Sequence, residues 1–112
     1  MHDPRFREIS NVAPDGQSLS ALINGDLGWL MYLRNPGDPG FSSRNPNYIG
    51  AADATIEYVL GNGQRDEYPA SWALSIVEVL RALEYFRKHH KPPTFVAWHN
   101  DSGDGVIIQN GA

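Results

Sequence analysis

The sequence contains no cysteine among its 112 residues, which excludes disulfide bonds, thiolate metal ligands and thiol catalysis. No apolar run approaches the roughly 20 residues that a membrane-spanning helix needs. The first ten residues are polar and contain no signal-peptide hydrophobic segment. The predicted location is therefore the cytoplasm, with no membrane contact.

Basic residues are scarce and unevenly placed. Nine Lys and Arg stand against 13 Asp and Glu, for a net charge of −4. Residues 81–91 hold four of the basic groups and one acid, so the remaining chain carries −7. An acidic body disfavours a phosphate-binding surface and favours a basic protein partner. The same balance is also typical of a protein that only needs charge for solubility.

Catalytic and metal-binding motifs are missing as well. His89 and His90 are adjacent, so they point in different directions, and no ligand spacing such as HExxH exists. Asp66 and Glu67 are neighbours on a predicted strand and face opposite sides, which prevents them from acting as a carboxylate pair. No serine lies in a nucleophile elbow. The sequence predicts no catalytic residue, no metal and no cofactor.

One segment partly matches a calcium-binding loop. Asn100, Ser102, Asp104 and Gly105 correspond to its first, third, fifth and sixth positions. The twelfth position, where a bidentate glutamate belongs, is Gly111, and no predicted helix flanks the segment. The interpretation of this segment as a polar turn is therefore preferred.

The clearest structural signal is an amphipathic helix over Ser75–His90. Ser75 is predicted as its N-cap, with Glu78 completing a capping box, and Glu84 is spaced to pair with Lys88. Its apolar residues recur at three- and four-residue spacing and form one buried stripe. They are Ile76, Val79, Leu80, Leu83 and Phe86.

The segments before this helix give weaker signals within a single predicted domain, residues 1–112. Residues 1–15 are predicted to be a loose N-terminal arm. Residues 17–23 are predicted as a short helix, with a strand as the competing interpretation. Residues 28–34 are apolar on both alternating faces, which predicts a central strand covered on both sides. Residues 35–50 are rich in Pro and Gly and predict an irregular loop.

A β-hairpin is predicted where residues 55–60 and 64–68 flank an Asn-Gly dipeptide. A two-residue turn would place Glu57 opposite Tyr68, whereas a longer turn would place Glu57 opposite Glu67. The two-residue turn is favoured because it avoids facing acids. The second strand is polar and ends at a proline, as an edge strand does.

Two further strands are predicted after the helix, over residues 94–98 and 106–109. The predicted fold class is therefore α+β, with an antiparallel or mixed sheet of about four to five strands and one long amphipathic helix packed across it.

Several segments spread over roughly residues 28–101 carry a family resemblance. They are 28–33 (GWLMYL), 38–46 (DPGFSSRNP), 62–64 (NGQ), 66–69 (DEYP), 72–74 (WAL), 80–86 (LRALEYF) and 92–93 (PP) leading to Trp98. Taken together, they resemble the first-numbered family of Imm immunity proteins from bacterial polymorphic toxin systems. No single segment is specific, but the ensemble is.

The resemblance implies a non-enzymatic protein that is made beside a toxin and protects the producer from it. In this family the toxin often has a cytidine-deaminase-like fold, which acts on an extruded or single-stranded base. The implied partner is therefore a basic, deaminase-like toxin protein, whose active site or substrate channel the inhibitor closes. No direct contact with nucleic acid is implied.

Acidic groups in predicted loops or at the sheet edge could stand in for phosphates and speed the encounter with a basic toxin, while aromatic anchors slow release. The candidate toxin-binding residues are Asp38, Arg44, Asp66, Glu67, Tyr68, Trp98, Asp101 and Asp104.

Two other functions remain open from the residues. A small hydrolase or ligand-binding enzyme could place a site under the loop 35–50, with Asp38, Arg44 and His99 as polar groups. Such an enzyme requires a concave cleft beneath that loop, whereas an inhibitor requires a flat acidic face. The third alternative is a protein-interaction subunit unrelated to any toxin.

Overall fold

The computed structural model describes residues 3–108. Within that range it contains eight strands, one α-helix and a short 3-10 helix. Their bounds are β1 Phe6–Val12, β2 Ser18–Asn24, β3 Leu27–Leu33, β4 Phe41–Arg44, β5 Thr55–Val59, β6 Arg65–Pro69, the 3-10 helix Ala70–Trp72, β7 Leu74–Ser75, α1 Ile76–His89 and β8 Ala97–Asn100. In this part of the chain, no helix has the length and apolar character needed to cross a membrane.

The main sheet is antiparallel, with strand order β1-β2-β3-β4-β8 and β7 added beside one end of β3. Alternate residues of the central strands point to opposite faces. Leu30 and Tyr32 pack toward α1, whereas Trp29 and Met31 pack toward the separate β5-β6 hairpin. The α+β prediction is confirmed, including a helix across the sheet and a central strand covered on both sides.

The helix forms as its period predicts. Ser75 is the N-cap and its Oγ accepts a hydrogen bond from the amide of Glu78 at 3.3 Å. Leu80, which the predicted stripe included, is 45% exposed, and Glu84 pairs with Arg87 instead of Lys88. The buried face is Val79, Ala82, Leu83 and Phe86.

The N-terminal segment is not a loose arm over residues 6–12, because these residues form β1, with Phe6 buried and Ile9 packed against the main core. The prediction of a helix over residues 17–23 is also wrong, and the competing strand interpretation is correct. In β2, Leu19 faces α1 and Leu22 faces the hairpin, so both of its faces are buried. Apolar residues on both faces are typical of a central strand whose sheet is covered on both sides.

The hairpin is present, but its predicted register is wrong. Leu60 and Gln64 close a three-residue loop through a 2.8 Å hydrogen bond, and Gly63 has φ of 89°. A three-residue loop of this kind needs a left-handed residue at its end, which glycine supplies. The consequence is that Glu57 lies opposite Glu67.

The facing glutamates are accommodated by their diagonal neighbours. Glu57 forms a 2.6 Å ion pair with Arg65, and Glu67 accepts a 3.0 Å hydrogen bond from the Thr55 hydroxyl. Diagonal partners on a sheet are within reach of long side chains. The two acids can face each other because each accepts from a donor on the same face of the hairpin.

Three other segments differ from their predictions. The loop 35–50 is not wholly irregular, because residues 41–44 form β4 between β3 and β8. The strand predicted over residues 94–98 lies instead at Ala97–Asn100. Residues 106–108 are not a strand, and Gln109 lies outside the described residues.

Candidate binding surface

One part of the main sheet stays open on the hairpin side. The hairpin packs over β1 and β2, so β4 and β8 lie beside it and not beneath it. Ser42 is opposite Met31 on one side and His99 on the other, and directly opposite residues share a face. Arg44, two residues from Ser42, lies on that same face. The open face therefore presents polar groups next to the hairpin.

The end of the hairpin joins this face through stacked side chains. The Tyr68 hydroxyl donates to Asp66 Oδ2 at 3.3 Å, and the Tyr68 and Trp72 rings stack with centroids 6.1 Å apart. The guanidinium of Arg44 lies over the Trp72 ring at 3.8 Å from its centroid. A close guanidinium above an indole face is a favourable cation–π contact. These contacts connect β6, the 3-10 helix and β4.

The connection continues to β8 through hydrogen bonds. Arg44 Nη1 donates to Ser42 Oγ at 2.9 Å, and the Ser42 hydroxyl donates to Asp101 Oδ2 at 2.7 Å. The other oxygen of Asp101 lies 2.8 Å from His99 Nδ1. We call this continuous row the contact strip. Its members are Asp66, Tyr68, Trp72, Arg44, Ser42, Asp101 and His99.

The side chains of the contact strip range from buried to exposed. Ser42 is buried, Arg44, Tyr68 and Trp72 are half-buried, and Asp101 is exposed. Burial lowers the pKa of the Arg44 guanidinium, and burial together with the Asp66 carboxylate raises the pKa of Tyr68. Partly desolvated aromatic and arginine side chains of this kind are typical interface anchors. The strip therefore has the composition of a protein-binding surface.

Half of the candidate residues fall within the strip, namely Arg44, Asp66, Tyr68 and Asp101. Glu67 points to the outer face of the hairpin, where it contacts Thr55. Trp98 packs against the main core, and its indole Nε1 donates to the Pro93 carbonyl at 2.9 Å. The remaining two residues, Asp38 and Asp104, meet at a different cation.

That cation is Arg34. Its Nε and Nη2 donate to the two oxygens of Asp38 at 2.8 and 2.9 Å, and its Nη1 donates to Asp104 at 2.7 Å. The Asp38 side chain is only 4% exposed. The Arg34 hydrogen bonds hold the pKa of Asp38 below its usual range, whereas the pKa of Asp104 is lowered first by the Asn100 side chain, then by the Val106 amide and Arg34. Because both carboxylates share the positive charge of Arg34, they are weaker candidates for binding a basic partner than the acids of the strip.

The Arg34–Asp38 contact predicts an acid-dependent stability. Asp38 has a lower pKa when folded than when unfolded, so its contribution is complete above the unfolded pKa of about 3.9 and is lost as the pH falls through the folded pKa. The melting temperature should therefore fall steeply below about pH 4. Asp38→Asn should lower it at pH 7 and flatten that acid dependence, as measured by calorimetry from pH 7 to pH 2.

Asp53→Asn is the matched control for the loss of one carboxylate. Asp53 is exposed and makes no ion pair within the described part of the chain. The melting temperature of this variant should depend on pH in the same way as that of the unsubstituted chain. Equal flattening by both substitutions would show that overall charge, and not the Arg34 contact, produces the acid dependence.

The segment that resembles a calcium loop is held by its own donors. Asn100 Oδ1 accepts from the Ser102 amide and hydroxyl at 2.8 and 2.6 Å. Asp104 Oδ1 accepts from Asn100 Nδ2 at 2.6 Å and from the Val106 amide at 3.0 Å. Among residues 3–108, no group of three or more side chains is arranged to hold a metal ion. The twelfth position, Gly111, lies outside the described residues.

The cleft that an enzyme would need beneath the loop 35–50 is small. The concavity beside Arg44 and Asn47 has a volume of about 140 Å³, against the roughly 300–1,000 Å³ of ligand pockets. Of the proposed polar groups, Arg44 and His99 meet through the contact strip, whereas Asp38 pairs with Arg34. The structure therefore does not assemble these three residues into one site. A larger groove of about 600 Å³ lies elsewhere, between β1 and the hairpin tip.

Three strip residues are not among the predicted toxin-binding residues, and one of them, His99, is predicted only as a polar group of the alternative enzyme site. Trp72 is not among the predicted binding residues, but it stacks between Tyr68 and Arg44. Ser42 was not singled out, although it links Arg44 to Asp101. The alternation of Ser42 and Arg44 in a short extended run was the available signal for a shared face.

Comparison with known proteins gives one finding. The family model described as "Immunity protein Imm1" matches residues 3–100. The match spans every helix and strand of the fold and all of the contact strip except Asp101. No curated protein matches the sequence.

Proposed function

The chain belongs to the Imm1 family of immunity proteins, and from this premise we propose that it binds a cognate toxin and neutralises it. The observation that carries the proposal is the family match over residues 3–100, which includes the whole folded core. A stoichiometric inhibitor needs a stable, complementary surface and no reaction centre of its own. The contact strip is the surface that best meets this requirement.

The proposed toxin is a nucleic-acid deaminase-like enzyme that acts in the cytoplasm of the producing cell. An enzyme that holds a nucleic acid needs a basic channel for the phosphates. The chain carries a net charge of −4, and its strip contributes the carboxylates of Asp66 and Asp101. We propose that these two carboxylates occupy phosphate positions and that the bound inhibitor closes the channel.

The aromatic part of the strip has a separate role in this proposal. Tyr68 and Trp72 are half-buried and stacked, so they can add contact area with little loss of side-chain freedom. Long-range attraction between the acidic chain and a basic toxin raises the association rate, while close aromatic contacts lower the dissociation rate. The combination would give fast and lasting neutralisation.

The test is co-expression of the chain with the toxin domain encoded beside it, with cell survival and co-purification read in one experiment. The expected result is survival together with a stable complex. Death without a complex would contradict the pairing between this chain and that toxin. Survival without a complex would contradict neutralisation by direct binding.

The deaminase part of the proposal has its own test. The purified toxin domain should deaminate a single-stranded oligonucleotide, and activity should disappear at about one equivalent of the chain. If the chain protects cells and binds the toxin but the toxin has no deaminase activity, the immunity function stands and the proposed deaminase chemistry is wrong.

A further inference from the structure

The N-terminal strand β1 leaves one edge of the main sheet open. Within residues 3–108, β1 pairs only with β2. It is seven residues long and contains no proline, and of the charged side chains that can discourage edge pairing it carries one of each sign, Arg7 and Glu8. Val12 at its end is 72% exposed. An edge of this length is able to pair with another strand.

The hydrogen bonds at both ends of the β1-β2 ladder show which backbone groups face outward. The Ala13 amide donates to the Gln17 carbonyl, and the Gly25 amide donates to the Arg5 carbonyl, both at 2.8 Å. Antiparallel bonds occur at every second residue, so the odd-numbered residues of β1 bond to β2. The amides and carbonyls of the even-numbered residues therefore project outward. Among residues 3–108, the outward amides without a local acceptor are those of Glu8, Ser10 and Val12, since the Phe6 amide donates to the Asp3 carbonyl.

The space beside this edge is defined by the hairpin. The groove of about 600 Å³ runs between the residues Phe6–Ile9 and the hairpin tip. Glu8 accepts a 2.8 Å hydrogen bond from the Gly61 amide, which fixes the tip above the strand without filling the groove. A second strand can therefore approach β1 in the plane of the sheet.

We propose that two copies of this chain pair through antiparallel β1 strands, with Ile9 of each copy opposite Ile9 of the other. The outward amides allow only registers in which even-numbered residues face one another. A register centred on Glu8 would oppose two carboxylates, and one centred on Ser10 would set Glu8 against Val12. The register centred on Ile9 avoids both arrangements.

Cross-strand pairs in the Ile9-centred register are complementary. Glu8 faces Ser10 of the second copy, Arg7 faces Asn11, and the apolar Phe6 faces the exposed Val12. Glu8 and Ser10 exchange both backbone hydrogen bonds, and the two-fold axis produces every contact twice except the central Ile9 pair. This self-complementarity is why a second copy, and not an unrelated strand, is the inferred occupant.

The inferred dimer is independent of toxin binding. β1 lies at one edge of the sheet, and β4 and β8, which carry much of the contact strip, lie at the other. Pairing through β1 produces one continuous sheet across both copies and leaves both strips open. A dimer would therefore offer two equivalent toxin-binding surfaces.

The test is sedimentation velocity of the full chain over a wide concentration range, with variants at the exposed Ser10. The unsubstituted chain should show a reversible monomer–dimer equilibrium. Ser10→Pro should be monomeric, because it removes only an outward amide and leaves the β1-β2 ladder intact. Ser10→Glu would oppose Glu8 twice per dimer and should raise the Kd by about tenfold or more. Ser10→Lys would face Glu8 and should lower it.

All three variants lose the same Ser10–Ser20 hydroxyl contact, so their melting temperatures should agree at concentrations far below the dimer Kd, where dimerisation adds no stability, and this comparison serves as the folding control. A chain that remains monomeric at every concentration would overturn the proposal. A dimer unaffected by Ser10→Pro would place the interface on another surface. Weakening by Ser10→Lys as well as by Ser10→Glu would overturn the Ile9-centred register.

Discussion

Replacing Asp66 with lysine is expected to weaken binding to the cognate toxin by about ten- to a hundredfold, whereas replacing Glu67 with lysine should change the affinity far less. The two acids are neighbours on β6 and point to opposite faces. Asp66 lies in the contact strip beside Tyr68, and Glu67 lies on the outer face of the hairpin beside Thr55. Both affinities can be measured by titration calorimetry with the purified toxin domain.

The pair controls for net charge, because each substitution changes the total by the same amount. Long-range steering should therefore suffer equally, and both association rates should fall at low ionic strength. Only Asp66→Lys should raise the dissociation rate. If Glu67→Lys has the larger effect, the outer face of the hairpin is the interface. Equal effects would mean that net charge alone matters, and either result would contradict binding through the strip.

The contact strip joins β4 to two consecutive elements that follow it at a distance in sequence. Arg44 comes from β4, Trp72 from the 3-10 helix and Tyr68 from the hairpin. The Ser43 hydroxyl donates to the Trp72 carbonyl at 3.1 Å and the Asn45 amide donates to the Ser71 carbonyl at 2.8 Å, which fixes the 3-10 helix against β4. A surface fixed in this way loses little freedom on binding.

Local signals explain which parts of the fold could be predicted. The helix was predictable because its apolar period and its Ser75 cap lie within one segment. β1 was missed because Arg7 and Glu8 interrupt its apolar pattern and its stability comes from pairing with β2. Strand formation depends on such neighbours more than on intrinsic preference.

The pairing register of the hairpin also could not be predicted from local sequence signals. The Asn-Gly signal correctly located the turn, but the choice between two- and three-residue loops rested on the facing pair alone. The structure satisfies Glu57 through Arg65 and Glu67 through Thr55, and neither contact lies directly opposite. The sequence alone does not show which diagonal contacts form, because that depends on the positions of the side chains in three dimensions.

Among the candidate binding residues, sequence could identify suitable side chains but not which acids were already paired. Asp38 was plausible as an exposed loop acid, yet Arg34 binds it together with Asp104 from the far end of the chain. Arg44 and Tyr68 lie in separate segments of the sequence, and only the fold connects them through Trp72. Long-range contacts decide which charges remain available.

Replacing Gly40 with alanine is expected to destabilise the fold by about 3 kcal/mol or more. Gly40 has φ of 78°, and an added Cβ would lie 2.4 Å from the Tyr32 carbonyl oxygen and 2.5 Å from Leu33 Cδ2. The oxygen belongs to the central strand β3, whose backbone is held by its neighbours and cannot withdraw. The measurement is the free energy of unfolding from urea denaturation, or soluble yield if the variant does not fold.

Gly37→Ala separates that clash from the cost of the backbone conformation. Gly37 has φ of 85°, but an added Cβ would meet no atom of the described residues within 4 Å, so only the left-handed conformation is penalised, at roughly 1–2 kcal/mol. Equal losses of stability in the two variants would contradict the clash.

Gly40 also bears on function, because its carbonyl accepts a hydrogen bond from the Asp101 amide at 2.9 Å and thereby positions an acid of the contact strip. Any folded Gly40→Ala protein should therefore bind the toxin more weakly, while Gly37→Ala should retain full affinity.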